Sequence, residues 1–290
     1  NISPTDTPFM SSIGKEKAEG TLHEWQTDAL AAAATNAQVE GDEIAFTAVV
    51  PTSRINNRTQ ISRKSVIVSG TQDTVNTAGR NQELAYQISK NAKELKRDME
   101  LVLCNNQSAA VGGAAAARTS SGLASWIQTN INAIGANGAV GGVDTPGILR
   151  TNGTQRAFTE AQLKGVAASC WNSGGDPSMI MLGSFNKQKL SGFTGGSTKM
   201  TQADDKKLVA AIDIYESDFG SMTVVPNRFS RSRDVFVLQP DMWAVAYLRD
   251  FQMIDLAKTG DAEKKAMLAE YTLVAKNEAA NGAIFDLTTA

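Results

Sequence analysis

The clearest pattern along the chain lies between residues 82 and 106, where Leu84, Ile88, Leu95, Met99 and Val102 recur at steps near three, four or seven. That spacing lays one apolar stripe along an amphipathic helix. Charged residues fill the other faces. Lys90 with Glu94 and Lys96 with Glu100 stand at i,i+4, and Glu94 with Arg97 at i,i+3, each pair adding about 0.2–0.5 kcal/mol on an exposed face. A helix of this span is about 37 Å long, roughly twice the common length.

Upstream the pattern is different. Residues 1–20 carry Ser3-Pro4, Thr7-Pro8 and Ser11-Ser12 with few apolar side chains, which predicts an extended arm lying on something else, with no core of its own. Between 21 and 70 the only helical stretch is short, at 29–34. The β-prone pieces 44–50 and 65–69 are separated by Pro51 and the turn signal Asn56-Asn57. Roughly 50 residues of such material far exceeds the ~12–15-residue ceiling for loops in a compact domain. An isolated two-stranded ribbon is marginal in water, so this excursion is expected to lean on a neighbouring subunit.

Downstream, the Ala/Gly/Ser run 108–122 predicts a flexible or closely packed connector. Alternation returns over 126–134, and a Gly-rich patch follows at 135–147. A helix is predicted over 159–171, with Thr159 as N-cap, Leu163, Val166, Ala167 and Cys170 on one face, and Gly174-Gly175-Asp176-Pro177 as the stop. Residues 179–182 read as a buried strand, 186–193 as a short helix and 195–205 as a mobile loop. Strands are predicted over 210–217, 222–226, 235–239 and 242–256. Over 264–276 the period is two: Met267, Ala269, Tyr271, Leu273 and Ala275 share one face and Glu270, Thr272 and Lys276 the other, as in a half-buried strand. Residues 277–282 then turn into a last strand, 284–287. One long helix with strands from separated segments is an α+β organisation.

Composition narrows the picture. A chain of 290 residues with 42% hydrophobic content supports one large or two modest cores. Cys104 and Cys170 stand far apart without C-x-x-C spacing, so neither a disulfide framework nor a structural metal is expected, and a reducing cytosol suits the chain. The net charge of −2 lacks the basic excess that neutralising phosphates demands. No apolar run reaches the roughly 18–20 residues of a membrane span, and the first residues lack a signal-peptide pattern; the chain reads as soluble, not exported, with no membrane partner. It starts at Asn1 rather than Met, which predicts a segment cleaved or left out.

Candidate chemistry is sparse. His23 is the single histidine, which removes Ser-His-Asp, Cys-His and multi-histidine metal sites together, and it reads as a surface or packing residue. Cys104 and Cys170 read as small buried hydrophobes. The pairs Gly112-Gly113, Gly141-Gly142 and Gly174-Gly175 fit no phosphate-binding frame. Asp204-Asp205, or Asp213, Glu216 and Asp218, are candidates for an acid/base pair or a cation site, but nothing places them in a pocket, and solvated or intersubunit charge is the simpler reading. The one compact basic cluster runs Arg228-Phe229-Ser230-Arg231-Ser232-Arg233. It suits a nucleic-acid patch or a loop face pairing with acidic groups on a neighbour, the second being favoured. No catalytic, cofactor-binding or metal-binding residue is expected, and no enzyme activity.

Ordered blocks carry a resemblance. Glu24-Trp25-Gln26-Thr27-Asp28-Ala29-Leu30, Glu40-Gly41-Asp42-Glu43, Asn57-Arg58-Thr59-Gln60-Ile61 and Val68-Ser69-Gly70-Thr71-Gln72 resemble the arm and extended loop of a group of tailed-bacteriophage major capsid proteins. Glu83-Leu84-Ala85-Tyr86-Gln87 through Glu94-Leu95-Lys96-Arg97-Asp98-Met99-Glu100 follows where their spine helix stands. Ser217-Asp218-Phe219-Gly220, Leu248-Arg249, Leu256-Ala257-Lys258-Thr259-Gly260-Asp261 and Glu270-Tyr271-Thr272-Leu273-Val274 agree near the end.

The resemblance implies the Hong Kong ninety-seven type capsid fold, shared with encapsulin compartments. It places an N-terminal arm at 1–20 and an extended β-hairpin loop at 21–78. A peripheral domain follows at 79–154 and 246–290, with spine helix 82–106, and an axial domain at 155–245. It implies a subunit that self-assembles into pentamers and hexamers enclosing double-stranded DNA without sequence-specific binding. Portal and scaffold or decoration proteins are the implied partners, and the virion, assembled in the bacterial host cytoplasm, the implied location. An encapsulin-like shell around an enzyme cargo is the alternative. Some relatives also cross-link through a lysine near the loop tip and an asparagine on a neighbour. This chain has no lysine between Lys17 and Lys64, so boiled, reduced particles are expected to run as single chains on a denaturing gel; a ladder of multimers overturns that expectation.

Overall fold

The computed structural model describes residues 4–28, 30–44, 46, 48–49, 51–75, 83–134, 149–193 and 213–289. The long helix forms as α3 (Glu83–Cys104). Its stripe is fully buried only in the C-terminal half, at Leu95, Met99, Leu103 and Cys104, while Leu84 and Ile88 are half-buried. Lys90 and Glu94 pair at 3.8 Å. The expected Lys96–Glu100 pair does not form: Lys96 lies over the Phe251 ring, 5.8 Å from its centroid, and Glu100 points into the core.

Two sheets frame this helix. The first runs in the order β1 (Gly14–Lys17), β10 (Trp243–Asp255), β11 (Ala262–Ala275), β4 (Gln60–Ser69), with β1 parallel to β10 and the other pairs antiparallel. Helix α3 packs on β4 and β11. The second runs β5 (Asn130–Asn132), β12 (Gly282–Ile284), β9 (Val235–Leu238), β6 (Met179–Leu182), β8 (Gly220–Pro226), β7 (Ile214–Ser217). Its central strands β6 and β9 are buried at every position because both faces are covered. Met179, Met181, Phe236 and Leu238 join the core that holds α3 and Trp243. Ile180, Leu182, Val235 and Val237 join a second core with Leu163, Val166 and Cys170 of α5 (Glu160–Asn172). The predicted helix is therefore realised with its predicted face, and Gln162 Oε1 accepts the Thr159 N–H at 3.1 Å. Short helices α2 (Gly70–Thr74), α4 (Leu123–Trp126) and α6 (Ser184–Ser191) link these parts.

Several expectations are corrected. Residues 8–18 do have a core: α1 (Pro8–Ser12) buries Phe9 and Met10, Ile13 follows, and β1 adds an edge strand. Four buried apolar side chains, Phe9, Met10, Ile13 and Ala18, suffice there because the tertiary structure supplies the cap that α1 lacks locally. The Asn56-Asn57 signal is not a turn. Both residues lie within β3 (Ser53–Arg58), which pairs antiparallel with β2 (Leu22–Thr27). Residues 30–34 form no helix, and among 44–50 the described residues form no strand. Strand β11 is buried on both faces from Ala269 to Ala275, because the end of the 108–122 connector packs on Glu270 and Thr272, with Ser120 Oγ 3.2 Å from Thr272 Oγ1. Of the two readings of that connector, close packing holds at Ser120, Ser121 and Gly122; a Cβ on Gly122 would stand 2.2 Å from the Asn105 carbonyl oxygen, so only glycine fits. The last strand is Gly282–Ile284, two residues earlier than the pattern suggests. The predicted 135–147 patch, the 195–205 loop and Asp204-Asp205 lie outside the described residues.

Candidate self-assembly interface

The β2–β3 ribbon is rooted firmly and ends loosely. At its root the Trp25 indole N–H donates to the Ala275 carbonyl at 2.8 Å, and its ring lies 5.6 Å from that of Trp126. Asn57, completely buried, donates to the carbonyls of Leu273 (2.7 Å) and Ser121 (3.2 Å) and accepts the Ser121 N–H at 2.9 Å. One amide thus ties the ribbon to β11 and to the connector. Beyond the paired strands, the described residues between 28 and 52 form no helix or strand, and their large apolar side chains face solvent: Leu30 100%, Val39 76%, Ile44 78%, Phe46 94% and Val49 93% exposed.

Burying each such side chain is worth about 1.5–3 kcal/mol. Single exposed apolar residues are ordinary, but five on one unsupported segment mark an interaction surface. The same segment carries Asp28, Glu40, Asp42 and Glu43 and no lysine or arginine. The surface that receives it should therefore be apolar with basic groups at its border.

Three buried carboxylates hold the remainder in register, each joining segments distant in sequence. Glu100 accepts the N–H groups of Phe9 (2.8 Å) and Met10 (2.8 Å) and the Asn227 amide (2.7 Å). The side chain of Thr7 makes no capping bond to α1, so Glu100 caps that helix from α3. Burial raises its pKa and these three donors oppose the rise. Glu270 takes Arg118, Arg249 (2.8 Å) and the Thr59 hydroxyl (2.9 Å). Asp286 takes a fork from the fully buried Arg150, one bond from Arg233 at 2.9 Å, and the Gly153 N–H at 2.8 Å.

The residues singled out by sequence separate into these roles. Arg231 pairs with Asp234 at 2.9 Å, and Arg233 with Asp286. The basic cluster thus turns its charge into its own chain at those two positions, rather than toward a neighbour or nucleic acid; Arg228 is exposed. Asp213 pairs with Lys187 at 3.2 Å. Among the described residues no group of three His, Cys, Asp or Glu side chains is placed to hold a metal ion, and no helix is long and apolar enough to cross a membrane. His23 lies half-buried in β2 against Trp25, its ring 5.7 Å away, and burial lowers its pKa. Cys104 and Cys170 are buried; burial holds the Cys104 thiol well above its ordinary pKa and pushes Cys170 up to about 12. Glu100, Asn57, Arg150, Glu270 and Asp286 escape sequence reading as anchors. The one available signal was Glu100, a charge beside Met99 and three residues before Leu103, where the stripe widens.

Comparison with known proteins places the chain in a family. A family model described as SU10 major capsid protein matches residues 1–288. The major capsid protein of Escherichia phage Phieco32 is 30% identical over 319 aligned positions, covering 98% of this chain and 91% of that protein. Among solved structures, the cyanophage A-1(L) capsid subunit superposes with a TM-score of 0.63 at 13% identity, covering 100% of this chain and 95% of that one. The capsid of the native GTA particle gives 0.62 at 11%, covering 99% and 92%.

Proposed function

The chain belongs to the SU10 major capsid protein family and is a phage major capsid protein, and on that premise we propose how it builds a shell. Copies join as pentamers and hexamers, each ribbon tip seats on an adjacent copy, and the closed shell encloses double-stranded DNA without sequence-specific contact. The observation that carries this is the ribbon itself: rooted by Trp25 and Asn57, and bearing five apolar side chains at a tip that no described residue covers. The acidic tip calls for a basic receiving surface, and the outer face of α3 offers one in Lys90, Lys93 and Lys96, all exposed. Portal and scaffold or decoration proteins are further partners in this reading, with the virion as location and the host cytoplasm as the place of assembly.

The division into arm 1–20, extended loop 21–78, peripheral domain 79–154 with 246–290, and axial domain 155–245 is part of the same proposal. Strands β10 and β11 with α3 make up the peripheral part, to whose sheet β1 of the arm and β4 of the loop add the two edges, and the second sheet with α5 and α6 corresponds to the axial part. Strands β5 and β12 come from peripheral stretches of chain yet complete the axial sheet, so the two parts interlock. The encapsulin-like alternative is not favoured, since the named relatives are capsids of phages and of a GTA particle. Electron microscopy of the purified chain over a concentration series is the test. Closed or partial shells are expected, loosened only in part as salt screens the charged border of the tip contacts, since the apolar contact is not screened; monomers persisting at the highest concentrations overturn the reading.

A further inference from the structure

Asn152 and Gly153 form an Asn-Gly pair in the irregular stretch 149–155, and Asn152 is exposed. Two contacts bracket the pair. The Gly153 N–H donates to Asp286 Oδ1 at 2.8 Å, and Asn152 Oδ1 accepts from Arg231 Nη2 at 2.7 Å. The first places a carboxylate on the proton of the peptide nitrogen that follows the asparagine. The second places a guanidinium on the oxygen of the asparagine side-chain carbonyl. Those are the two groups that cyclisation of an Asn-Gly pair requires, a base at the nucleophile and a cation where negative charge develops. Glycine adds no Cβ to shield its nitrogen.

We propose that Asn152 is a self-processing site, converted through a cyclic imide to aspartate or isoaspartate by its own surroundings, with Asp286 and Arg231 as the assisting groups. The Gly153 amide proton passes to Asp286 as the Gly153 nitrogen bonds to Asn152 Cγ. The former carbonyl oxygen carries the negative charge against Arg231. The bond from Cγ to the amide nitrogen then breaks, and that nitrogen leaves as ammonia, taking the proton back. Solvent water opens the five-membered imide at either carbonyl, which leaves a new carboxylate on residue 152. The surroundings favour that charge: among the described residues, Arg150, Arg156, Arg231 and Arg233 share this cluster with two carboxylates, Asp234 and Asp286. Burial already holds Arg156 and Arg231 below the ordinary guanidinium pKa, so a third carboxylate offsets an excess of positive charge.

An internal comparison is available. Asn281-Gly282 has the same sequence, but Asn281 is buried away from solvent, the donor on its side-chain oxygen is the neutral Gln239 N–H (2.7 Å) rather than a cation, and Gly282 lies within β12. Purified protein incubated at neutral pH, sampled over time and mapped by peptide mass spectrometry at mildly acidic pH resolves Asn, Asp and isoAsp at each position. In the folded chain Asn152 is expected to convert about tenfold or more faster than in the same chain held in urea, whereas Asn281 converts only in urea. Arg231→Gln should bring the folded rate at Asn152 down toward the urea value, and Arg231→Lys, which keeps a cation, should recover part of it. The proposal fails if folded Asn152 converts no faster than unfolded Asn152, or if a folded Arg231→Gln chain converts at the original rate. The folded-against-urea comparison decides the matter even where a variant does not fold.

Discussion

Replacing residues 30–49 with a short glycine–serine linker is expected to abolish shell formation and leave the subunit folded. The segment removed contributes Leu30, Val39, Ile44, Phe46 and Val49, all largely exposed in the single chain. They add little to its stability and, at about 1.5–3 kcal/mol for each when buried, most of the apolar gain that the ribbon tip offers an assembly. Ordering costs and partial burial reduce that sum, but even one third of it, repeated at every contact of a closed shell, separates full assembly from none. The root is untouched: Trp25, Ile55 and Asn57 keep their partners on β11 and the connector. Circular dichroism and thermal melting of the linker variant should match the parent within a few degrees, while electron microscopy and sedimentation show no shells at concentrations where the parent is fully assembled. Shells of normal size from the variant would sink the role given to the tip; a large loss of melting temperature would show instead that the tip supports its own subunit. Phe46→Asp, one charge at a position 94% exposed, should weaken assembly in the same direction and leave melting unchanged.

What could be read from sequence follows the range of the forces involved. Helix α5 was legible to its N-cap and each buried residue because cap, stripe and stop are all local to fifteen or so residues. Strand β6 was legible as a continuous apolar run because both its faces meet a core. The exposed tip was legible through what it lacks, since a long segment without helix or core leaves its apolar side chains uncovered within the single chain. The root was not. Asn56-Asn57 carries the composition of a turn, yet Asn57 is a buried connector whose partners stand 64 and 216 residues away. Glu100 reads as one more surface charge, although its backbone partners lie 90 and 91 residues upstream. Alternation in β11 predicts one wet face and misses the connector that dries it. Carboxylates and amides of this kind hold distant segments together, and their partners have no periodic relation to them in sequence.

Asp286→Ala is expected to cost the subunit about 3–5 kcal/mol, the range seen when one partner of a buried ion pair is removed. Out of a total stability of roughly 5–15 kcal/mol that is enough to unfold much of the population on mild warming. The reason lies with Arg150. Its side chain is completely buried, it lies over the Phe285 ring at 4.1 Å, and Asp286 supplies its carboxylate fork. Without Asp286 a guanidinium stays in the core uncompensated, Arg233 loses its 2.9 Å partner, and the Gly153 N–H loses its acceptor. Asp286 also has a positive φ of 61°, which aspartate tolerates better than alanine. Urea unfolding should show the midpoint falling at unchanged slope. Replacing the pair together, Arg150→Met with Asp286→Ala, should recover the part of the loss due to the uncompensated Arg150 guanidinium, while Arg233 and the Gly153 N–H still lack their partner. A single-variant loss below about 1 kcal/mol would mean that Arg150 escapes to solvent. Asp234 is the contrast within the same cluster. It is fully buried, 2.9 Å from Arg231, but its oxygens have no well-directed hydrogen bond, and burial pushes its pKa up to about 6. A carboxyl raised in the folded state stabilises the fold at low pH, and that contribution is lost as pH rises through about 6. Asp234→Asn, which mimics the protonated acid, should therefore leave stability nearly unchanged near pH 4, flatten its decline between about pH 4 and 6 and make the chain more stable than the parent at neutral pH, which sets the cost of Asp286→Ala apart from the general effect of removing a buried acid.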